Sequence, residues 1–412
     1  MEQILTMDDL NFKDKVVSVR VDFNSPIDPD KKKILEDTRI RAHGETTIKE
    51  LSQKGAKVVI LAHQGRPGEP DFIPLKQHAK ALNRILAKPV KYVNDLFGEK
   101  AQDAIKALKS GEILVLENVR TFPNERKKGS PEEHAKSEFV KKLAPLLDVF
   151  VNDAFAAAHR AHVSIVGFTA VLPSVAGRVM ERELKALGKA VEKPEKPCIY
   201  ILGGAKADDA LKISRYVLDN NTADHVLTGG VVGHLFLAAK GVDLGKPNME
   251  FLEKNGLMIF IPGIKELMEK YSERIKVPVD LAVEVNKKRK RIPVEQLPTK
   301  HHICDIGAET IKKYIGTIND ARSIVISGPM GVFENPEFMA GTKGVLEAVA
   351  ASKAFSLIGG GHTVAAVEQL GLREKMSYVS TAGGALIEFL MGEELPGVAA
   401  LKAAAVRMKC QS

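Results

Sequence analysis

The chain has 412 residues, 44% of them hydrophobic and 27% charged; this is near the globular average, which excludes collagen-like, disulfide-scaffold and wholly disordered chains and leaves room for two or three domains of ~100–200 residues. Sixty basic residues against 52 acidic ones give a formal charge of +8, an excess that suits anionic partners without choosing among nucleic acid, a membrane surface and small phosphorylated molecules. No run approaches the ~18 uninterrupted apolar residues of a membrane span, and a chain with no tryptophan and 5% aromatics is poorly equipped to stack single-stranded nucleic acid.

The opening segment MEQILTMDDL has no basic stretch followed by an apolar one, so no secretory signal is expected. Four short apolar, β-branched runs follow: Lys15–Val21, Lys57–Leu61, Ile113–Leu116 and Val149–Val151. Each is too short for a typical helix and is predicted as a buried strand. Helical patterns lie between them, for example Thr38–Leu51 and Leu75–Leu86. After Pro173, Ser174 reads as an N-cap, and Ala176, Met180, Leu184 and Leu187 share one helical face. A Pro/Lys/Glu stretch, 192–197, comes next. This predicts a connecting helix over 173–190 between a lobe at 1–172 and a second at 191–394.

In the second half, predicted strands run into glycine-rich turns. Cys198–Leu202 leads to Gly203-Gly204, His225–Thr228 to Gly229-Gly230, and Ser323–Ser327 to Gly328-Pro329-Met330-Gly331. Phe355–Ile358 leads to Gly359-Gly360-Gly361, and Met376–Val379 to the turn ending in Gly383-Gly384. The basic run KKRKR at 287–291 is read as a solvated loop tip rather than a nucleic-acid patch or localisation signal. Strands alternating with helices predict an α/β protein of two lobes, each a doubly wound, mainly parallel sheet flanked by helices. Three cysteines, Cys198, Cys304 and Cys410, odd in number and far apart, fit a reducing cytoplasm.

Ligands of open α/β sheets bind at the carboxyl ends of the strands. In the first half those ends carry Asp22-Phe23-Asn24, His63-Gln64-Gly65-Arg66, Asn118 with Arg120, and Asn152-Asp153 followed by His159 and Arg160; Arg39 and Arg41 open the first helix. Any one arginine fits an ordinary surface ion pair. Four neighbouring strand ends supplying them point to a small, highly anionic molecule, because the guanidinium fork matches carboxylate and phosphate. The second half offers glycines instead, which let backbone N–H groups approach a ligand at helix N-termini, as a nucleotide-phosphate site requires. Lys206, just after Gly203-Gly204, is a candidate phosphoryl-binding cation, and Glu334 a candidate acceptor for ribose hydroxyls. The Gly-x4-Gly-Lys-Ser/Thr loop is absent. Gly359-x-Gly361-x-x-Val364 matches the dinucleotide fingerprint only in part, with no acid ~20 residues on. His301-His302-x-Cys304-Asp305 has metal-ligand residue types but no second cluster, and reads as structural packing. A polyanion lobe, a nucleotide lobe and a helix between them suggest phosphoryl transfer with lobe closure.

At these residues the chain resembles phosphoglycerate kinase over nearly its whole length. The matching blocks include Val19-Arg20-Val21-Asp22-Phe23-Asn24, Asp37-Thr38-Arg39-Ile40-Arg41, His63-Gln64-Gly65-Arg66-Pro67 and Leu116-Glu117-Asn118-Val119-Arg120. Further on are Ala158-His159-Arg160, Gly203-Gly204-Ala205-Lys206, the run from Gly328 to Glu334, Gly359-Gly360-Gly361-His362-Thr363 and Leu395-Pro396-Gly397. The resemblance implies a 3-phosphoglycerate site at Asp22, Asn24, Arg39, His63, Arg66, Arg120 and Arg160, with Arg39 beside the transferring phosphoryl group. It implies nucleotide contacts at Lys206, Glu334 and Gly360–Thr363, and a helix start at Gly383 and Gly384 that faces the transferred group. It implies ATP/ADP and 3-phosphoglycerate/1,3-bisphosphoglycerate as partners, Mg²⁺ carried with the nucleotide, and a chain end, 395–412, that returns to the first lobe. A cytoplasmic monomer binding neither nucleic acid nor membrane is expected.

Three positions depart from the commoner bacterial and eukaryotic pattern and are similar to archaeal members. His362 stands where an aspartate normally helps hold magnesium, so no protein ligand of the metal is assigned. Ala210 stands where a second lysine sits, with Lys212 the candidate substitute, two residues off and on another helical face. Ser327 replaces an asparagine. The implied acceptor is a carboxylate of pKa ~3.5, already ionised at pH 7, so a site rich in arginine with no acid–base pair is coherent. A nicotinamide-dependent dehydrogenase of a small phosphorylated acid is the alternative, weakened by the incomplete fingerprint. A nucleic-acid binder would place its basic residues along one stripe, whereas here they stand singly at strand ends.

Overall fold

The structure, a computed structural model, describes residues 4–411. The described residues form two compact units, one made of 4–185 with 394–411 and the other of 186–393. The first is built on β1 (Val16–Arg20), β2 (Lys57–Leu61), β3 (Val90–Tyr92), β4 (Ile113–Val115), β5 (Val149–Asn152) and β6 (Ser174–Ala176). All pair in parallel in the order β3-β4-β2-β1-β5-β6. Period-2 alternation sends Val58 and Ile60 to one face and Val59 and Leu61 to the other, so each face has its own core. The chain leaves β1 toward β2 on one side and returns to β5 on the other. This puts a crevice at the carboxyl end of β1, the usual ligand position of such sheets.

The second unit holds β7 (Cys198–Leu202), β8 (His225–Thr228), β9 (Ile275–Lys276), β10 (Asp280–Val285), β11 (Lys288–Pro293), β12 (Ile303–Ile306), β13 (Ser323–Ser327), β14 (Phe355–Gly359) and β15 (Tyr378–Val379). Six form a parallel sheet in the order β15-β14-β13-β7-β8-β9, with its own reversal point between β7 and β13. The turns Gly203-Gly204 and Gly328-Pro329 flank that point.

Two expectations are corrected. The segment 174–176 is a strand, not the start of a helix. Ser174 pairs with Phe150, and its hydroxyl donates to the Leu172 carbonyl, so it caps nothing. The helix runs Arg178–Leu187; the Arg178 amide donates to Thr47 Oγ1, and the next two amides, Val179 and Met180, donate to the buried Asp153 carboxylate. The basic run is likewise no loop tip. Asn286 and Lys287, both at positive φ, form a two-residue hairpin turn, and the rest is β11 in an antiparallel sheet β11-β10-β12. Alternation explains its composition: Arg289 and Arg291 share a face and pair with buried Asp305 (2.6 Å) and Asp280, while Lys288 and Lys290 face solvent. Asp305 is thereby spent on Arg289 and the Gly341 amide, and Cys304 Sγ lies 3.6 Å from the His302 carbonyl.

The terminal helix Pro396–Gln411 packs on the first unit. Gly397 N–H donates to Ala158 O (2.8 Å), Ala400 joins Ala154, Ala157, Ile165 and Val166 in a small core, and Arg407 donates to the carbonyls of Thr169 and Leu172.

Candidate functional site: an arginine cluster and a glycine-walled cavity

In the first unit, the turn after β1 is fixed from below. The Asp22 amide donates to His43 Nε2 (3.2 Å), so His43 carries its proton on Nδ1, 2.6 Å from Asp153. The Asp22 carboxylate accepts from the Asn24 amide (3.1 Å) and from Arg39 (2.5 Å), which aims the Arg39 guanidinium at the end of β1. Asn24 Oδ1 in turn accepts from the Gly65 amide (2.8 Å), tying the turns after β1 and β2 together. Gly65 sits at φ +63°, and a Cβ there would lie 2.4 Å from the Asp71 backbone.

His63 stands at the centre of the positive charge. It is buried among Arg20, Arg120, Arg160 and Arg39. Burial first, and then these four charges, hold its pKa well below the ordinary imidazole value, so the ring is neutral. His162 is pushed down to about 3 by burial and by Arg160, Arg20, Arg120 and Arg126. Burial beside Arg20 and Arg160 lowers even Arg120, to about 10. Such mutual repulsion is unfavourable in the free protein and is relieved by an anion. Arg160 Nε lies 3.0 Å from His159 Nε2, and Arg66 is exposed. Phe23 and Gln64 are fully buried. Phe23 stacks near His78 at 6.4 Å, and the Gln64 amide is spent on Ser25, Asp71 and His78. Both side chains build the scaffold rather than a ligand surface. Two clefts of this unit, about 710 Å³ each, lie elsewhere, around Arg178 with Asp8 and Glu50, and around Lys33 with Arg84.

In the second unit a cavity of about 190 Å³ is walled by Gly203–Lys206, Ser327–Pro329, Gly360–Thr363 and Gly383-Gly384, with Asp209, Ala210 and Ile387 beside them. The helices Ala207–Asp219 and Gly361–Gln369 begin at this cavity, so their positive dipole ends face it. Its wall is two interlocked turns: Gly203 N donates to Ser327 O (2.9 Å) and Gly204 N to Pro329 O (2.7 Å). Lys206 is exposed, its nearest acid being Asp209 at 3.8 Å.

Other expected residues fall elsewhere. Gly229 and Gly230 do not line the cavity; they let the backbone pack beneath it, where a Cβ on Gly230 would meet Gly204 N at 2.7 Å. Thr363 lines the cavity, but its hydroxyl accepts from the Gly328 amide (2.7 Å) and pins the turn. Glu334 is exposed outside the lining. Lys212 is held by Asp208 (2.8 Å) on the helix's exposed face and is not among the residues lining the cavity beside Ala210. His362 is exposed at the helix start. Among the described residues no group of three His, Cys, Asp or Glu could hold a metal ion, and Asp209 is the only carboxylate in the cavity lining.

The family model described as phosphoglycerate kinase matches residues 7–393. The chain belongs to the phosphoglycerate kinase family. The phosphoglycerate kinases of Methanothermobacter thermautotrophicus and Methanobacterium bryantii are 52% and 50% identical over 397 and 393 residues, 96% and 95% of this chain and 96% of each relative. The solved phosphoglycerate kinase of Pyrococcus horikoshii OT3 matches with a TM-score of 0.87 at 43% identity, over 97% of this chain and 99% of that one. The Coxiella burnetii structure matches at 0.84 and 35% identity, over 98% and 100%. As a phosphoglycerate kinase, the protein carries out phosphoryl transfer between ATP and the carboxylate of 3-phosphoglycerate in glycolysis, which displaces the dehydrogenase alternative.

Four residues that sequence reasoning did not single out stand close enough to the arginine cluster to act on its charges: Arg20, Arg126, His162 and the acid Glu125. Arg20 carried a legible signal, an arginine inside a buried strand, which is tolerable only when its charge is used. Arg126 and His162 lie in irregular segments with no periodicity to mark them.

Proposed function

We propose that the arginine cluster holds 3-phosphoglycerate and that the glycine-walled cavity holds the nucleotide phosphates. The observation carrying the first half is the neutral, buried His63 with four arginines around it, a concentration of positive charge that suits a polyanion. Asp22 orients Arg39, to which the family resemblance gives the transferring phosphoryl group, with Arg66, Arg120 and Arg160 on the phosphate and carboxylate of the substrate. The acceptor carboxylate needs no base, and catalysis rests on orientation and charge neutralisation. In the cavity, backbone N–H groups and Lys206 take the phosphates, and the helix start at Gly383-Gly384 takes the transferred group.

The residues present do not fit a resident magnesium cage. Mg²⁺ prefers six oxygen donors, and the side chains of the cavity lining offer one carboxylate, two hydroxyls and an imidazole. Magnesium therefore enters with the nucleotide. Each ligand bound alone gives little preference for a closed state, so compaction requires both. Small-angle scattering of the singly and doubly liganded protein checks this. The protein works as a cytoplasmic monomer, for which light scattering should return about 45 kDa.

Hydrogen exchange with each ligand separately tests the assignment. 3-Phosphoglycerate alone should slow exchange at 22–25, 63–66 and 118–122, and ATP with Mg²⁺ at 203–207, 328–331 and 360–364. Protection of both sets by either ligand alone would contradict it.

A further inference from the structure

A buried chain of hydrogen bonds runs behind the arginine cluster. Glu125 is 1% exposed, lies in the turn after Phe122, and has both carboxylate oxygens occupied by one residue. Oε1 accepts from the Ser164 hydroxyl (2.6 Å) and Oε2 from the Ser164 amide (3.0 Å). The Ser164 hydroxyl has a single proton, already given to Glu125, so toward Arg20 its oxygen is an acceptor, and Arg20 Nε–H donates to it at 2.8 Å. Arg20, itself 1% exposed, is thereby oriented to direct one terminal nitrogen at the Val21 carbonyl and the other at His63 Nδ1, 3.1 Å away.

The direction of this chain has a consequence at its far end. A guanidinium only donates. His63 Nδ1 must therefore accept, and the single proton of the neutral ring must sit on Nε2. Among the described residues no hydrogen-bond partner is found for Nε2. The ring presents one N–H donor without adding a fifth positive charge to the arginines around it.

We propose that Glu125 and Ser164 are positioning residues: through Arg20 they lock His63 in the Nε2–H tautomer, so that it donates to an anionic oxygen of the ligand in the arginine cluster. This rests on reading that cluster as the 3-phosphoglycerate site. An isosteric glutamine at 125 keeps the volume but replaces one acceptor by an NH₂ group, so the direction of donation can no longer be satisfied along the chain. Alanine at 164 removes the middle link and leaves Arg20 Nε–H without its acceptor.

The test is a long-range ¹H–¹⁵N correlation spectrum of the full chain with ¹⁵N-labelled histidine, the His63 signals being assigned by their loss in His63→Ala. At pH 8, where Glu125 is ionised despite its raised pKa, the wild-type protein without ligand should show an unprotonated Nδ1 and a protonated Nε2. In Glu125→Gln and Ser164→Ala the His63 signals should move to a mixture of tautomers. The KM for 3-phosphoglycerate should rise about three- to tenfold, the worth of one hydrogen bond, with the KM for ATP unchanged. A protonated Nδ1 in the wild-type protein overturns the proposal even if neither variant folds. So does a wild-type tautomer in both folded variants. If the tautomer responds as expected but His63→Ala leaves the KM for 3-phosphoglycerate unchanged, the relay stands, and it is the substrate reading, and with it His63's role, that falls.

Discussion

Gly328→Ala is expected to damage the nucleotide cavity from its wall inward. Gly328 sits at φ +92°, where an L residue carries strain of ~1–2 kcal/mol. The added Cβ would lie 2.1 Å from Gly203 O and 2.3 Å from Gly203 C. Both are backbone atoms, so relief requires the two turns to separate by about an ångström, at a further ~1–3 kcal/mol for overpacking. The sum, about 2–5 kcal/mol, falls on the hydrogen bonds joining Gly203 to Ser327 and Gly204 to Pro329. Hydrogen exchange at 198–204 and 323–330 should accelerate by about 30-fold or more, and calorimetry should show weaker ATP binding. Gly361→Ala is the control. A Cβ there meets nothing within 4 Å, and the position is helical, so stability should hold or gain up to ~1 kcal/mol. Wild-type exchange and ATP affinity in Gly328→Ala would refute the interlocked-turn account.

Other outcomes follow from single groups. Burial raises the Glu125 carboxyl from 4.5 to about 7. The folded state therefore keeps a proton that the unfolded chain has lost, and this group's contribution to stability declines as pH rises from about 4.5 through 7, by at most about 3 kcal/mol. Denaturant titrations at pH 5 and 8 should show that slope reduced in Glu125→Gln; an unchanged slope would contradict the assignment. Lys206→Ala should lower kcat by ~10²–10³ with a smaller rise in the KM for ATP, whereas Lys212→Ala, whose ammonium is engaged by Asp208, should stay within about twofold; the opposite result would move the phosphoryl-stabilising role to Lys212. His362→Ala should leave the Mg²⁺ requirement unchanged, because an imidazole is a poor magnesium ligand, and a large rise in the Mg²⁺ concentration needed would count against this.

The sequence made the strands legible because they are buried on both faces and read as continuous β-branched runs; Lys57–Leu61, Cys198–Leu202, His225–Thr228 and Ser323–Ser327 agree with the structure to the residue. Short pieces were harder. Val90–Tyr92 and Ser174–Ala176 are three-residue edge strands whose identity depends on a neighbour, and Ser174 looked like a cap because the true cap, Asp153, is distant in sequence. The strand Lys288–Pro293 was hidden by its charge, since the carboxylates that absorb Arg289 and Arg291 come from other strands. At the site, strand-end arginines were readable one by one. Which polar residues face a ligand was not: Gln64 and Thr363 carry the right chemistry and spend it on backbone. Glycine gave the same ambiguity, since Gly203 walls the cavity while Gly229 only permits packing under it.

The central claim is that the two substrates have separate sites, one built of arginine and one of glycine. Titration calorimetry of Arg66→Ala and Arg160→Ala with 3-phosphoglycerate and, separately, with ATP and Mg²⁺ tests it most directly. Each substitution removes a charge-assisted contact of ~1.5–3 kcal/mol, so 3-phosphoglycerate affinity should fall about ten- to a hundredfold while ATP affinity is unchanged. Equal losses for both ligands, or a loss for ATP alone, would contradict the account.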